Sequence, residues 1–411
     1  IKVSETANGK IIPDTLDVKI GTRQVYKPNY EINKTSSTEA TVKIKEGIIN
    51  NVVTIKGEAK DDDQYEVEFD ALGISISGEQ YATKDTDYVA TFEVSADHKI
   101  PLAENVCVKI GNEEWVSLFD EPTGYTYDID GDEETATKST LTIAGSLIKG
   151  PIAIAAKAAD LDLLTYMTTG EENKDWKQVK TASAKGYAPY LFNIGEESDS
   201  FKIDGEEYKA RLIGIDRDSN HSMTFEFTTC LSTKHKFSNN TKLSSYYYRD
   251  YQYGISYESE IHRYLNNDLY DKLPFKDSIS SVSKKTVIGK YGADLSHKID
   301  TYDSTNYLFP LSLRELGYDV SGLKVNKNAE KEVPVNPYTG SGPYEYYKMS
   351  GGHQIKQAKV NGTLQDVKYW VRTPNIESEK ISQSYVVKTD GTFGSANCAS
   401  NDVYVAPAFC M

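Results

Sequence analysis

Apolar and polar residues alternate in many short runs along the chain, and this pattern predicts a mainly β protein. Asp17–Ile20 and Asp87–Val94 are two such runs, in which every second residue is apolar. Gly, Asn, Asp and Pro residues separate the runs, and these residue types favour turns. Short strands at such spacing are typical of a β-sandwich.

Two copies of one β unit follow each other in the first part of the chain. Residues 9–13 precede 17–21 as residues 98–101 precede 107–111, and both later segments contain Val-Lys-Ile-Gly. Three further pairs of segments match: Tyr30–Ile32 with Tyr127–Ile129, Ala40–Ile44 with Ser139–Ile143, and Val52–Ala59 with Pro151–Ala158. An internal repeat of this length predicts two copies of one fold.

The second copy begins with an extra strand, Asp87–Val94, for which the first copy has little room. Residues 1–8 supply that strand only in part, so we expect Ile1 to lie close to a cut point with further copies before it. The copies are assigned to residues 1–70 and 71–158, with the first incomplete at its start.

Several motifs of the second copy recur in one group of proteins. They are Ile100-Pro101, Val106–Gly111, Tyr125–Asp128, Leu141–Ile143 and Gly150–Ala156. With these motifs the segment resembles the immunoglobulin-like repeats of bacterial surface and phage proteins. The resemblance covers most of residues 80–158 and implies a spacer or stalk without chemistry.

Residues 159–174 are interpreted as a linker, and residues 175–411 combine helix and strand patterns. Apolar spacing and end signals predict helices at Asp175–Gly186, Tyr257–Leu269 and Leu311–Gly317. Alternating runs predict strands at 190–194, 200–203, 207–215, 223–230, 369–372, 384–388 and 403–409. The chain is then irregular for about fifty residues after Gly317, and such long structureless segments are usually functional loops.

A series of motifs runs through residues 175–411, and those at the C-terminus are the most specific. They are Trp176, Phe192–Glu196, Gly205–Asp218, Tyr257–Asn266, Leu308–Glu315, Trp370–Pro374, Asp390-Gly391 and Val405–Cys410. Their order resembles an uncharacterised domain family of gut Firmicutes and their phages, whose fold is similar to C-type lectins and sulfatase-modifying factors. The resemblance implies a scaffold shared by ligand-binding modules, phage tropism determinants and an oxidase branch. The predicted fold class is mainly β, with two immunoglobulin-like β-sandwich repeats followed by an α+β C-type-lectin-like domain at 175–411.

The chain is acidic, with 46 Lys and Arg against 61 Asp and Glu, a net charge of −15 and a pI near 5.0. Binding to a phosphate backbone requires basic surfaces, so this charge disfavours a nucleic-acid partner. Every apolar run is shorter than the roughly 20 residues that a membrane helix needs, so no membrane insertion is expected.

Residues that carry catalysis or bind metals are present without the spacing that such sites need. The four cysteines and six histidines show no metal-ligand spacing, and no Gly-x-Ser-x-Gly turn occurs. The acidic run Asp128–Glu134 lacks the Gly and Glu of a calcium loop and is interpreted as a solvated hairpin. We expect no cofactor and no metal. Cys398 lies in a polar loop and is a candidate for exposure, and His262 is placed on the solvent side of its helix.

The densest aromatic run, Tyr246–Tyr253, lacks strict alternation and therefore does not all fit into a core. Exposed Tyr and Arg side chains are typical of interfaces, and Tyr344–Tyr347 forms a second cluster. A competing interpretation is that half of these tyrosines pack inward. Polar segments at 375–384 and 394–402 are expected to be displayed loops. The candidate ligand-binding residues are Tyr246, Tyr247, Tyr248, Arg249, Tyr251, Tyr253, Tyr344, Tyr346, Asn375, Glu377, Asn397 and Asn401.

Four residues of the C-terminal motifs are assigned to the frame that holds the loops. Trp370 is expected to be a buried aromatic, Arg372 a buried ion pair or cap, Asp390 part of a turn, and Pro407 the end of a strand. A C-terminus that ends within a strand pattern is expected to be fixed in a sheet, because free ends are usually polar and frayed.

These features favour a non-enzymatic protein of a virion or bacterial cell surface, in which spacers present a lectin-fold head. The expected partner is a host-cell surface protein or glycan. One alternative is a structural virion component whose head domain makes assembly or homo-oligomer contacts. A weaker alternative is an enzyme of the sulfatase-modifying-factor type, which would need Cys398 and Cys410 as a reactive pair.

Overall fold

Strands are the main secondary structure of both units into which the chain divides in the computed structural model, Ile1–Leu161 (unit 1) and Asp162–Met411 (unit 2). The expected mainly β class is confirmed. The structure describes all residues except 5–9, 13–15, 22, 26–28, 37, 46, 50, 57–59, 62, 95–97, 168–171, 239–246, 251–254, 289–299, 321–341, 350–353 and 376–382.

Unit 1 is built from short strands, with 3-10 turns at Ala103–Asn105, Leu118–Asp120 and Gly145–Leu147. The strands of the first copy are β1 (Lys2–Ser4), β2 (Lys10–Ile11), β3 (Asp17–Ile20), β4 (Arg23–Val25), β5 (Tyr30–Lys34), β6 (Glu39–Ile44), β7 (Val53–Lys56) and β8 (Lys60–Asp61). Those that follow are β9 (Gln64–Leu72), β10 (Ile74–Gly78), β11 (Tyr81–Thr83), β12 (Tyr88–Val94), β13 (Val106–Ile110), β14 (Val116–Ser117), β15 (Tyr125–Ile129), β16 (Lys138–Ile143) and β17 (Ile152–Lys157).

The two copies share a common set of strand pairings. β3 pairs antiparallel with β7 so that Ile20 lies opposite Val53, and β13 pairs with β17 so that Ile110 lies opposite Ile152. β6 lies between β1 and β5, as β16 lies between β12 and β15. The sequence repeat is therefore a repeat of structure. The short β1 takes the place of the opening strand in the first copy, as expected for residues 1–8.

Two details of the predicted repeat are wrong. Tyr30 lies opposite Ile44, and the residue opposite the equivalent Ile143 is Tyr125, so the predicted match with Tyr127 is two residues out of register. Both alignments fit the local sequence, and only strand pairing decides between them. The boundary at 70/71 falls inside β9, which pairs with β17 and β11 and belongs with the second copy.

Each copy has an apolar core to which strands of both of its sheets contribute. Val18, Ile20, Val25, Tyr30 and Val42 are the buried residues of the first core. The second core is larger and extends over strands from β9 to β17. Burying one such side chain contributes about 1.5–3 kcal/mol, so the alternating pattern is what drives the sheets together.

Unit 2 combines helices and strands. The helices are α1 (Leu163–Tyr166), α2 (Glu172–Lys185), α3 (Ala188–Leu191), α4 (Glu260–Arg263) and α5 (Glu345–Met349), with α4 continued by a π-helical segment at Tyr264–Leu269 and 3-10 turns at Tyr270–Lys272 and Lys276–Ser278. The strands are β18 (Phe201–Ile203), β19 (Glu206–Tyr208), β20 (Ala210–Ile215), β21 (Met223–Phe227), β22 (Tyr247–Asp250), β23 (Ile255–Glu258), β24 (Val282–Ile288), β25 (Asp300–Asn306), β26 (Leu308–Pro310), β27 (Lys356–Val360), β28 (Thr363–Val367), β29 (Tyr369–Pro374), β30 (Gln383–Val387), β31 (Phe393–Asn397), β32 (Tyr404–Val405) and β33 (Pro407–Cys410).

Two four-stranded sheets organise unit 2, with strand orders β20-β21-β33-β26 and β31-β30-β29-β32. The C-terminal strand β33 lies inside the first sheet, antiparallel to both β21 and β26. The expectation that the C-terminus is fixed in a sheet is therefore confirmed. Trp176 of α2 packs on this sheet, stacked on Phe275 at 4.4 Å between ring centroids and edge-on to Phe225 at 5.3 Å and Phe409 at 5.5 Å.

Three expected elements of unit 2 differ from the structure. Residues predicted as a strand at 190–194 begin in α3, because Pro189 favours the first turn of a helix. The helix expected from Tyr257 starts only at Glu260, where the Ser259 hydroxyl accepts a hydrogen bond from the His262 amide at 3.1 Å. The helix expected at Leu311–Gly317 is a single turn, because Gly317 adopts a left-handed conformation with φ +86°.

Candidate functional site

The segments predicted as displayed loops, 375–384 and 394–402, adjoin the sheet β31-β30-β29-β32, although residues 393–397 form β31 itself and 376–382 lie outside the described residues. Pro374 pairs with Ser384, and Gln383 pairs with Asn397. The connection between β29 and β30 and the end of β31 are therefore at the same end of the sheet, because neighbouring antiparallel strands exchange their ends. We call this end of the sheet the loop end.

Two backbone hydrogen bonds connect the residues that flank the tyrosine run, Phe237-Ser238 and Ile261, to each other and to the loop end. The Ser238 amide donates to the Cys398 carbonyl at 3.0 Å, one residue after Asn397. The Ile261 amide donates to the Phe237 carbonyl at 3.2 Å. Phe237 and Ser238 thus lie next to Ile261 and Cys398, and β22 and β23, which lie between Ser238 and Ile261 in sequence, form a hairpin.

A buried aromatic residue of the frame supports this place. Trp370 is fully buried, packs on Phe237 at 5.3 Å between ring centroids, and donates its indole N–H to the His235 carbonyl at 2.7 Å. The expectation that Trp370 is a buried frame residue is confirmed. Asp390 lies in a turn, where it accepts from the Thr392 amide at 2.9 Å, and Pro407 begins β33.

Arg372 belongs to a buried network of four charged side chains that also contains Asp218, Lys284 and Glu315. Arg372 donates to Glu315 Oε1 at 2.8 Å and to the Pro310 carbonyl at 2.8 Å. Lys284 donates to Asp218 and lies 3.4 Å from Glu315 Oε1. Two cations and two anions balance, and hydroxyl groups satisfy the remaining sites, as burial of charge requires.

Hydrogen bonds and charge hold both carboxylates of the network ionised. Burial opposes the ionisation of Asp218, but Lys284 and hydrogen bonds from Thr224 (2.6 Å) and Tyr344 (2.8 Å) outweigh it, so its pKa lies far below the ordinary value. Burial also opposes the ionisation of Glu315, but Arg372 and Lys284 lower its pKa to about 2. This arrangement stabilises the frame.

The predicted site residues fall into two groups in the described structure. Asn397 is exposed at the loop end, and Tyr247, Tyr248 and Arg249 lie in β22. Asn401 is also exposed, but its neighbour Asp402 pairs with Lys368 at the opposite end of β29. Tyr246, Tyr251, Tyr253 and Glu377 lie outside the described residues.

Two of the predicted ligand-binding residues are buried, so their assignment to a binding surface is wrong. Tyr344 is 1% exposed and its hydroxyl belongs to the charge network, while Asn375 is 1% exposed at the end of β29. Tyr346 is half-buried. The Arg211 guanidinium lies over its ring and donates to its hydroxyl at 2.6 Å. The inward-packing interpretation thus applies to the Tyr344–Tyr347 cluster.

Two further expectations about single residues are wrong. Cys398 is buried, and burial raises the pKa of its thiol to about 12. His262 is 4% exposed instead of facing solvent, and its ring lies 3.3 Å from Glu258. Cys398 lies among polar residues in sequence and His262 is not part of the predicted apolar stripe of its helix, but the chain segments packed around them bury both side chains.

His235 is a titratable group at this site that sequence reasoning missed. Its ring stacks on Tyr264 at 3.8 Å between centroids, and partial burial together with the charge of Lys272 lowers its pKa to about 4. Its backbone accepts from Trp370 and donates to the Val403 carbonyl at 2.9 Å. The His235 imidazole is therefore neutral at pH 7.

The lowered pKa of His235 predicts a stability that falls in mild acid. The unfolded chain binds a proton near pH 6.5 and the folded chain only near pH 4, so stability is lost as pH falls between these values. After a discount for partial exposure we expect a loss of about 1–2 kcal/mol, or about 3–6 °C in Tm. Thermal melts of the protein and of His235→Phe at pH 7 and pH 4.5 test this. The variant keeps the stacking and the backbone contacts, so an equal Tm decrease in both proteins contradicts the assignment.

A cleft of about 260 Å³ in unit 2 lies elsewhere, lined by Tyr208, Thr228, Cys230, Ser232, Lys359 and Leu364 among others. Its volume is slightly below the usual range for small-molecule pockets. In the described part of the chain, no three His, Cys, Asp or Glu side chains are grouped to hold a metal ion. Within the same residues, every helix is too short or too polar to cross a bilayer.

Comparison with known proteins gives one match. Residues 229–411 match the model of a family described as a domain of unknown function (DUF6273). No curated protein and no solved structure matches the chain. The matched region contains the loop end, the tyrosine segment and three members of the charge network, Lys284, Glu315 and Arg372, while Asp218 precedes it.

Proposed function

We propose that this chain is a non-enzymatic protein of a virion or bacterial cell surface that binds a host-cell surface protein or glycan. In this proposal the two copies in unit 1 are immunoglobulin-like spacers, and residues 175–411 form a C-type-lectin-like head. We also propose that residues 175–411 belong to the uncharacterised domain family of gut Firmicutes and their phages that the motifs of this region resemble.

The observation that best supports the proposal is the position of the residues that flank the tyrosine run. The Ser238–Cys398 and Ile261–Phe237 hydrogen bonds bring these flanking residues next to the end of β31 at Asn397. A rigid frame with Trp370 and the charge network holds these loops. Binding surfaces are commonly built from loops on such a scaffold, with Tyr and Asn as contact residues.

The alternatives make different demands on the same residues. A sulfatase-modifying-factor-like enzyme needs a reactive cysteine, whereas burial raises the pKa of Cys398 to about 12 and, with the charge of Asp218, that of Cys410 well above its ordinary value. A structural virion component uses the head for assembly contacts. It remains the second candidate, because a tyrosine-rich segment suits either type of partner.

Replacement of Tyr247, Tyr251 and Tyr253 with Ser is expected to weaken attachment of the full chain to bacterial cells at least tenfold, because such side chains are typical hot spots. Flow cytometry with the labelled protein measures attachment, and Tm is expected to stay within about 2 °C, because the proposal assigns these side chains to contact with the partner. Tyr307→Ser is the matched control, since Tyr307 is an exposed tyrosine outside this segment. Unchanged attachment of the triple variant contradicts the proposal, and lower particle yield with normal attachment supports the structural alternative.

A further inference from the structure

The cleft lined by Tyr208 and Leu364 takes no part in the candidate site. The hairpin of β18 and β19 lines one side of it, the hairpin of β27 and β28 lines the other, and residues that follow β21 lie between them. Its volume is about 260 Å³. Pockets for drug-sized ligands are larger, at about 300–1,000 Å³. The cleft therefore suits a ligand with a single small ring.

Contacts between these elements fix the walls of the cleft. The Lys359 ammonium of β27 lies 2.8 Å from the Glu206 carboxylate of β19 and joins the two hairpins. The Cys230 amide donates to the Gln357 carbonyl at 2.8 Å, which attaches β27 to the segment after β21. A ligand that enters a preformed cleft loses less free energy to the ordering of its site.

Five side chains of the cleft carry a hydroxyl group. They are Ser200, Tyr208, Thr228, Thr229 and Ser232. The Ser232 amide donates to the Tyr208 hydroxyl at 3.2 Å, which positions that oxygen. A hydroxyl group donates one hydrogen bond and accepts up to two, so these groups suit a ligand that carries both donors and acceptors. The hydroxyl groups of a sugar have this property.

The charged residues of the cleft favour a ligand without net charge. The lining contains two glutamates and two lysines, Glu206, Glu207, Lys209 and Lys359, whose charges cancel. Glu206 is paired with Lys359, and Glu207 lies 3.7 Å from Lys202. Sites that attract a charged ligand are lined by an excess of the opposite charge. A neutral ligand can instead donate to the carboxylates and accept from the ammonium groups.

One apolar side chain completes the lining. Leu364 lines the cleft and is 58% exposed. A hexose ring has polar hydroxyl groups at its edge and carbon-bound hydrogens on its faces. Contact between such a face and Leu364 removes apolar surface from water, which contributes about 25 cal/mol per Å². The combination of hydroxyl groups, balanced charge and one apolar residue therefore matches a hexose.

We propose that this cleft binds one neutral hexose ring. The five hydroxyl groups and the Glu206–Lys359 pair exchange hydrogen bonds with the sugar hydroxyls, and Leu364 contacts a face of the ring. The lining contains none of the candidate ligand-binding residues of the tyrosine run and the loop end. The cleft is therefore a second ligand site in unit 2, and it goes beyond the proposed function.

The probes are methyl α-D-glucopyranoside, methyl α-D-galactopyranoside and methyl α-D-mannopyranoside, with N-acetylneuraminic acid as the charged comparison. Saturation-transfer difference NMR on the full chain is expected to show saturable binding of at least one neutral probe, with a Kd in the millimolar range. N-acetylneuraminic acid is expected to bind more weakly than that probe, because its carboxylate meets no excess of positive charge.

Two variants locate the site. Thr229→Val removes one hydroxyl at nearly constant volume, and Leu364→Asp removes the apolar contact, so each is expected to weaken binding about fivefold. Thr126→Val is the matched control, because Thr126 is exposed in β15 of unit 1, and it is expected to leave the affinity unchanged. Tm is expected to stay within about 2 °C in all three variants, so that weaker binding reports the cleft itself.

Three results overturn the proposal. One is that no neutral probe binds up to its solubility limit. Another is that a neutral probe binds but neither Thr229→Val nor Leu364→Asp weakens it. The third is that N-acetylneuraminic acid binds more tightly than every neutral probe. Replacement of Tyr247, Tyr251 and Tyr253 with Ser is expected to leave hexose binding unchanged, so the two proposals fail or stand independently.

Discussion

Lys284→Met is expected to destabilise unit 2 by about 3–5 kcal/mol, because it leaves two buried carboxylates without their shared cation. Lys284 is 3% exposed, Asp218 8% and Glu315 2%, so solvent cannot replace the lost charge. In a unit of this size the change corresponds to a decrease in Tm of about 10 °C. Denaturant unfolding followed by tryptophan fluorescence measures it, since Trp176 and Trp370 both lie buried in unit 2.

Two further variants separate the ion pair from general packing. Lys284→Met combined with Asp218→Asn removes both charges and keeps an acceptor for the Thr224 and Tyr344 hydroxyls, so it is expected to recover at least half of the loss. Lys359→Met removes a surface pair with Glu206, in which Lys359 is 50% exposed, and is expected to leave the free energy of unfolding nearly unchanged. A cost below about 1 kcal/mol for Lys284→Met would show that the network is hydrated in solution.

Acid is expected to unfold unit 2 as pH falls from about 4.5 towards 2, because the network needs two ionised carboxylates. The folded pKa of Glu315 is about 2 and its ordinary value is 4.5, and the pKa of Asp218 is lowered still further. A lowered carboxyl pKa gives stability that is complete above the unfolded pKa and is lost as pH falls through the folded one. The shift of Glu315 corresponds to about 3 kcal/mol, a large part of the stability of a typical domain.

Urea unfolding at pH 7, 4 and 3 tests this dependence. The free energy of unfolding is expected to fall steeply below pH 4.5 in the protein. In the Lys284→Met, Asp218→Asn variant, one of the two ionised carboxylates is gone, so the decrease is expected to be smaller. Equal decreases in the protein and in the variant would assign the acid lability to carboxylates outside the network.

The candidate site shows where sequence reasoning succeeds and where it ends. Trp370 and Arg372 are predicted as frame residues because both belong to the strand motif Trp370–Pro374 near the C-terminus. The partners of Arg372 were not identified, since Glu315, Lys284 and Asp218 are far apart in sequence and carry no shared periodicity. Tyr344 could not be recognised as buried from sequence, because a tyrosine-rich segment has the same composition whether its rings point inward or outward.

The sequence by itself determined the mainly β class, the two copies in unit 1, and the C-terminal strand, because alternation and turn residues are local properties of the chain. The tertiary structure alone decided which strands pair, and so corrected the Tyr30 match and the boundary inside β9. It also decided that Tyr344, Asn375, Cys398 and His262 are buried. These features depend on contacts between distant segments, and the free energy of such contacts leaves no periodic trace in the sequence.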